Sequence, residues 1–210
     1  MSLGLFSLYI AAVLTLLLSL PLALYLMFEY KRFRHKHFLW LSAAFWLFSI
    51  DTLLELLFSM GISTGLLVRL YLFIAAAMVN LLVIGVLGRV VHHTTIRAYK
   101  VYSVLTLIFL AYSVLASNVS SVVVKGIVSG SVSSLIIIAS SLITIPGAFI
   151  LAGSSLYYYI DTRRIRTLSI FAGILIMSTG GFLYIASMPA VNYYADFIGI
   201  LLLWIGVINI

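Results

Sequence analysis

Long apolar runs, separated by short polar links, follow one another along the whole chain. Several of them exceed the length of about 18 residues at which an apolar run predicts a membrane-spanning helix. The pattern therefore predicts an all-α, polytopic integral membrane protein with seven transmembrane helices, forming a single domain over residues 1–210. The predicted helices are 3–29, 38–59, 64–89, 101–116, 132–160, 168–188 and 194–210.

Two of these helices contain proline, Pro21 in the first and Pro146 in the fifth. Proline has no N–H, so each one removes a backbone hydrogen bond and kinks its helix. A membrane bundle tolerates this when a neighbouring group satisfies the carbonyl that is set free.

The distribution of charge predicts the orientation. Apolar residues make up 64% of the chain and charged residues only 8%, and every Lys and Arg except Arg69 and Lys125 lies in three clusters that follow helices 1, 3 and 5. Basic clusters mark the cytoplasmic side of a membrane. We therefore expect a multi-pass protein of the cell membrane with its N-terminus outside and its C-terminus cytoplasmic, a lipid partner rather than nucleic acid, and the link 117–131 on the outer surface.

Helices 2 and 3, which a short turn joins, carry polar residues inside their apolar runs. Asp51 and Glu55 are four residues apart and so share one helix face, and Arg69 is predicted at about the depth of Glu55. Asn80 follows further along helix 3. Charges in hydrocarbon are costly, and they face the bundle interior or pair with each other.

These four residues, Asp51, Glu55, Arg69 and Asn80, form the candidate polar cluster. One interpretation is a binding or gating site, and the other is an ion pair that fixes helix 2 to helix 3. In both cases Arg69 is expected to point into the bundle and approach Glu55 or Asp51.

The sequence offers little for catalysis or cofactors. Cysteine is absent, and the four histidines lie in the predicted basic links rather than at mid-membrane. We find no catalytic carboxylate pair and no Ser-His-Asp arrangement. The sequence predicts a non-enzymatic protein without a metal or a cofactor.

Residues 24–34 and 156–166 share a pattern of Leu-Tyr, an acid and three bases. This similarity predicts a 3+1+3 parallel repeat with halves 1–89 and 132–210, in which helix 4 (101–116) is the linker. An independent interfacial pattern at the two helix ends would look the same. The arrangement resembles the small sugar-transporting SWEET and PQ-loop proteins in architecture. Their Pro-Gln motif is missing, because Leu22 follows Pro21 and Gly147 follows Pro146.

Three functions fit this sequence. The first is a small-solute transporter or permease with its site between helices. The second is a non-catalytic subunit of a larger membrane complex or an oligomer, with other membrane proteins as partners. The third is a receptor-like or sensor-like seven-helix bundle. We favour the transporter, because paired prolines and repeated halves suit a rocking motion.

Overall fold

The computed structural model describes residues 3–90, 93–124, 126–128, 130–163, 168–170, 172–173, 175–177 and 189–207, which form a helical bundle with one small β-hairpin. The helices are α1 (Leu3–Phe33), α2 (Lys36–Ser59), α3 (Gly65–Val90), α4 (His93–Ala116), α5 (Ser134–Thr162), α6 (Leu168–Met177) and α7 (Pro189–Val207). The hairpin pairs β1 (Val123–Val124) with β2 (Ile127–Val128) in antiparallel register.

The bundle has the character of a membrane protein. In the part of the chain that the structure describes, five helices, α1 to α5, are long and apolar enough to cross a membrane, and α6 and α7 are shorter apolar helices. Large apolar side chains cover the outer surface, with Leu66 and Phe149 each 75% exposed. A soluble monomer rarely exposes apolar surface on this scale. The all-α, membrane-bundle prediction is confirmed, whereas seven spans and their orientation stay predictions, with 178–188 and 208–210 outside the described residues.

Helix α3 is at the centre of the packing. It contacts α2, α4 and α5, while α1 contacts α2 and α7. The predicted repeat of 1–89 and 132–210 stays a prediction, but α4 does contact both α3 and α5, as a linker between two halves would.

Small residues allow close contact between helices. The Ser42 hydroxyl donates to the Ala23 carbonyl at 2.8 Å and joins α2 to α1. Between α6 and α7, a Cβ at Gly199 would lie 2.3 Å from Cγ of Met177, and one at Gly173 would lie 2.7 Å from the Gly199 carbonyl oxygen. Glycine at such crossings lets helix backbones approach, as is common in membrane bundles.

Neighbouring helices donate hydrogen bonds to backbone carbonyls close to both prolines. Pro146 frees the carbonyl of Leu142, four residues earlier, and the Tyr102 hydroxyl of α4 donates to that oxygen. Close to Pro21, the indole Nε1 of Trp204 donates to the Leu18 carbonyl at 2.7 Å. The expectation that a neighbour satisfies the freed carbonyl is confirmed at Pro146.

The helices are longer than predicted at the basic end of the bundle, which is the end that holds residues 30–37 and 89–100. Helix α1 continues to Phe33, and α4 begins at His93 instead of near 101. The basic residues there remain in contact with aromatic rings. Lys100 Nζ, for example, lies 4.9 Å from the centroid of the Trp40 ring. A long basic side chain can keep its charge in the interface while its backbone is helical, so hydropathy alone placed these helix ends too far inside.

The described part of the link 117–131 packs into the opposite end of the bundle, which we call the hairpin end. Its expected position on the outer surface stays a prediction. Val119, Val122 and Val128 are buried at the hairpin end with side chains of α2, α3, α4 and α5. Gly126 has a φ of +78° and lies against the C-terminal end of α2. A Cβ at this position would be 2.9 Å from the Phe58 carbonyl oxygen. These buried valines therefore fill the space between the helices at this end. Lys125 lies outside the described residues.

We expect Gly126→Ala to destabilise the protein more than Gly61→Ala. Both glycines have positive φ, +78° and +86°, but a Cβ at Gly61 meets nothing within 4 Å. The two changes share a backbone cost of about 1–2 kcal/mol, and only Gly126→Ala adds overpacking against fixed backbone, typically about 1–3 kcal/mol. Thermal unfolding in detergent measures the difference. Equal losses would mean that the hairpin does not press on α2.

Candidate functional site

Asp51 and Glu55 are buried where α2 approaches the hairpin end. Asp51 is 8% exposed and Glu55 is 5% exposed. The hydroxyl of Tyr71, from α3, donates to Oε1 of Glu55 at 3.0 Å, while Oδ1 of Asp51 is buried without a hydrogen-bond partner among the described residues. Helix α3 thus satisfies the Glu55 carboxyl with a neutral hydroxyl.

Helix α7 adds two polar residues that sequence reasoning missed. Asp196 lies near enough to Asp51 and Glu55 for their charges to interact, and Tyr193 lies near the same carboxylates. The signal for Asp196 was present, because an acid inside an apolar run was the feature that singled out Asp51. The carboxylate–tyrosine cluster therefore consists of residues from three helices: Asp51, Glu55, Tyr71, Tyr193 and Asp196.

Arg69 does not join this cluster. Among the described residues it forms no ion pair with Asp51 or Glu55, and its Nε is buried without a partner. Successive α-helical residues are rotated by about 100°, so residues two apart lie on nearly opposite faces. Since Tyr71 faces Glu55, Arg69 faces away from it. The expected approach of Arg69 to the carboxylates is wrong in rotation about α3.

Asn80 lies apart from the carboxylates. It is fully buried, and its Oδ1 accepts a hydrogen bond of 2.9 Å from the Tyr99 hydroxyl of α4. Its Nδ2 has no hydrogen-bond partner among the described residues. The predicted cluster thus separates into two sites, one between α2, α3 and α7 and one between α3 and α4. Whether either has a binding or a structural role stays a prediction.

The hairpin closes the bundle over the carboxylate–tyrosine cluster. Glu55 and Tyr193 line a pocket there together with Gly126 and Ile127, and its volume is only about 10 Å³. A single water needs about that much space. The backbone of Val128 also hydrogen-bonds to Tyr193. Around these described residues there is room for about one water molecule.

A much larger cavity, of about 560 Å³, opens at the basic end. Cavities of roughly 300–1,000 Å³ are the usual size for small-molecule sites. Its inner walls are buried apolar side chains from five helices: Leu26, Phe45, Leu82, Leu151 and Leu203. The cavity thus lies between the first three helices and α5 to α7.

The mouth of this cavity is polar and basic. Arg32, His35 and Arg89 line it and are exposed, and Glu29 adds one carboxylate. The Arg89 guanidinium lies 4.4 Å from the Tyr158 ring centroid, and its Nη2 donates to the Tyr158 hydroxyl at 2.6 Å. Sequence reasoning assigned these basic residues to topology alone. It missed that they surround one opening together with Tyr158 of α5.

Histidines contribute to the mouth without forming a metal centre. The His35 and His37 rings stack with centroids 5.5 Å apart, while His92 lies outside the described residues. Within the described ranges, no group of three or more metal-binding side chains is placed to hold an ion.

Comparisons with protein-family models, with curated proteins and with solved structures found no match for this chain. The function is therefore argued from the two ends of the bundle themselves.

Replacing Tyr71 with Phe tests the carboxylate–tyrosine cluster. The change removes the donor to a buried carboxyl, and we expect a loss of about 1–3 kcal/mol in the free energy of unfolding. Glu55→Gln keeps an acceptor for Tyr71 and should cost less. Tyr112→Phe, at a site 65% exposed, is the matched control. If Tyr71→Phe is as silent as the control, the hydrogen bond does not hold α2 to α3.

A double-mutant cycle tests the Asn80–Tyr99 pair. Tyr99→Phe alone leaves the buried Asn80 amide unpaired, with an expected loss of about 1–3 kcal/mol. In the double variant Asn80→Leu, Tyr99→Phe both polar groups are gone, so the loss should be smaller than that of the single Tyr99→Phe. Additive losses, measured by thermal unfolding, would contradict the pairing.

Proposed function

We propose that the protein is a non-enzymatic transporter or permease of the cell membrane, captured with its binding cavity open to the cytoplasm. The observation that carries this proposal is the cavity of about 560 Å³ at the basic end. Basic residues at that end indicate the cytoplasmic side. The opposite end is closed by the hairpin and the carboxylate–tyrosine cluster.

An alternating-access cycle requires a site between two groups of helices, with one side open while the other is sealed. We infer both features from the cavity at the basic end and from the small pocket beside Glu55 and Tyr193. Leu26, Phe45 and Leu82 contribute one wall of the cavity, and Leu151 and Leu203 contribute the other. In the cycle, α5 and α7 move relative to α1, α2 and α3, and the seal at Glu55 and Tyr193 opens as the mouth at Arg32 and Arg89 closes.

The sealed end is suited to reversible opening. Its hydrogen bonds join different elements, as between Tyr71 and Glu55 and between Tyr193 and the backbone of Val128. A purely structural subunit or a receptor that only docks partners has no need of a large cavity closed at one end.

Cysteine accessibility tests the proposal cleanly, because the native chain has no cysteine. Ser154→Cys places a thiol in the cavity wall. We expect this thiol to react with an impermeant methanethiosulfonate reagent from either side of a proteoliposome, since the transporter exposes its cavity alternately. Ile62→Cys and Arg97→Cys, at exposed positions of the two ends, report the orientation of the inserted protein.

Gly153→Cys is the matched control beside Ser154. Its position is exposed, has nothing within 4 Å of an added Cβ, and does not line the cavity. A thiol facing lipid should not react from either side. Reaction of Ser154→Cys from the basic end only would contradict transport and favour a static cavity in a subunit or a receptor.

A further inference from the structure

We propose that the cavity takes an anionic amphiphile, a molecule with one alkyl chain and a carboxylate or phosphate head. This inference rests on the proposed function, because it names the substrate class of the same cavity. The alkyl chain lies between the apolar walls, and the head lies at the basic mouth between Arg32 and Arg89.

The inner chamber favours an apolar body. Leu26, Phe45 and Leu151 line its inner part, and each of these side chains is otherwise buried. Among the residues that line the cavity, the hydroxyl groups are those of Tyr25, Ser154, Ser155 and Tyr158. A polyol such as a sugar would lose its water in the apolar part without gaining hydrogen bonds there, at a considerable cost in free energy.

The shape of the chamber favours a chain. On α3 its lining runs from Met78 to Arg89, eleven residues apart along the helix, which corresponds to about 16 Å. On α2 it runs from His37 to Phe45 beside α3. The chamber is therefore elongated along the helices, with its charged end at the mouth and its apolar end towards the middle of the bundle.

The mouth favours a negative head. Two guanidinium groups, those of Arg32 and Arg89, face one carboxylate, that of Glu29. A guanidinium binds carboxylate and phosphate oxygens with paired N–H donors. Arg89 uses one of its five N–H groups on Tyr158, which holds the guanidinium in place over the ring and leaves the others for a ligand. A cationic head would meet like charges at the same point.

Thermal unfolding of the purified full chain in a maltoside detergent tests this assignment. Dodecyl phosphate and dodecanoate should raise the unfolding midpoint in a saturable way, whereas neutral dodecanol, cationic dodecyltrimethylammonium and inorganic phosphate should not. Equal stabilisation by dodecanol would show that only the apolar walls bind, and equal stabilisation by inorganic phosphate would show that only the mouth binds. Either result overturns the assignment.

Arginine variants locate the head group. Arg32→Gln and Arg89→Gln should each weaken binding of dodecyl phosphate by roughly ten- to a hundredfold, because each removes a charge-assisted hydrogen bond of about 1.5–3 kcal/mol. Arg97→Gln, an exposed base of the same end that does not line the cavity, is the matched control. If Arg89→Gln disturbs folding through its contact with Tyr158, Arg32→Gln still decides. Affinities equal to that of the control would overturn the proposal.

A wall variant locates the chain. Val86→Phe narrows the chamber without changing charge, and it should weaken dodecyl phosphate more than octyl phosphate. An equal effect on both chain lengths would place the alkyl chain outside the cavity and overturn the proposal.

Competition with phosphatidic acid, which carries the same head on two chains, distinguishes the source of the amphiphile. Displacement of dodecyl phosphate by phosphatidic acid supports the assignment with a membrane lipid as the source, and a lack of displacement supports it with a free single-chain amphiphile. The accessibility of Ser154→Cys separates this inference from the proposed function. If dodecyl phosphate binds but Ser154→Cys reacts from one side only, the ligand assignment stands and transport is contradicted. If Ser154→Cys reacts from both sides but dodecyl phosphate does not bind, transport stands and the ligand assignment is contradicted.

Discussion

In hydrocarbon no water can satisfy a buried polar group, so each of them depends on a donor or acceptor from the protein. Aromatic side chains whose polar tip reaches a neighbouring helix meet part of that requirement in this bundle. Tyr71 bonds to Glu55, Tyr99 to Asn80 and Tyr102 to the Leu142 carbonyl. Such residues combine a large apolar body with one hydrogen-bonding atom. They can therefore join helices in the apolar interior without introducing a charge.

Because these bonds are spread along the bundle unevenly, its two ends have different properties. At the hairpin end, buried carboxyls and tyrosines of three helices meet beneath a plug of valines, and little space remains. At the basic end, helices diverge around a chamber that they line with apolar side chains. Pro21 and Pro146 lie between the two ends, and the carbonyls of Leu18 and Leu142 in the preceding turns accept hydrogen bonds from Trp204 and Tyr102. The structure thus combines a tightly packed end with an end that holds a large cavity.

Hydropathy predicted most helices to within a few residues, since an apolar run of spanning length has few alternatives in a membrane. Rotation about the helix axis was not predictable, because α3 is apolar on every side and its sequence does not reveal which face meets α2. The hairpin valines were missed for a related reason. Their positions depend on contacts between segments distant in sequence, and local hydrophobicity carries no information about those contacts.

The same limitation concealed the cavity, because local hydropathy does not show that Arg32 and Arg89 line one opening. Arg32 and Arg89 lie at helix ends, where a guanidinium stays hydrated and costs little free energy. Arg69 differs from them, because its Nε is buried without a partner in the described part of the chain. Placement at the interface satisfies the positive-inside rule, and it also puts the donors where the head of an amphiphile lies when its chain is in the hydrocarbon. An anion bound there need not lose all of its hydration. The chamber can therefore bind charge at its mouth and apolar surface within, so that neither part of the ligand has to enter an unfavourable environment.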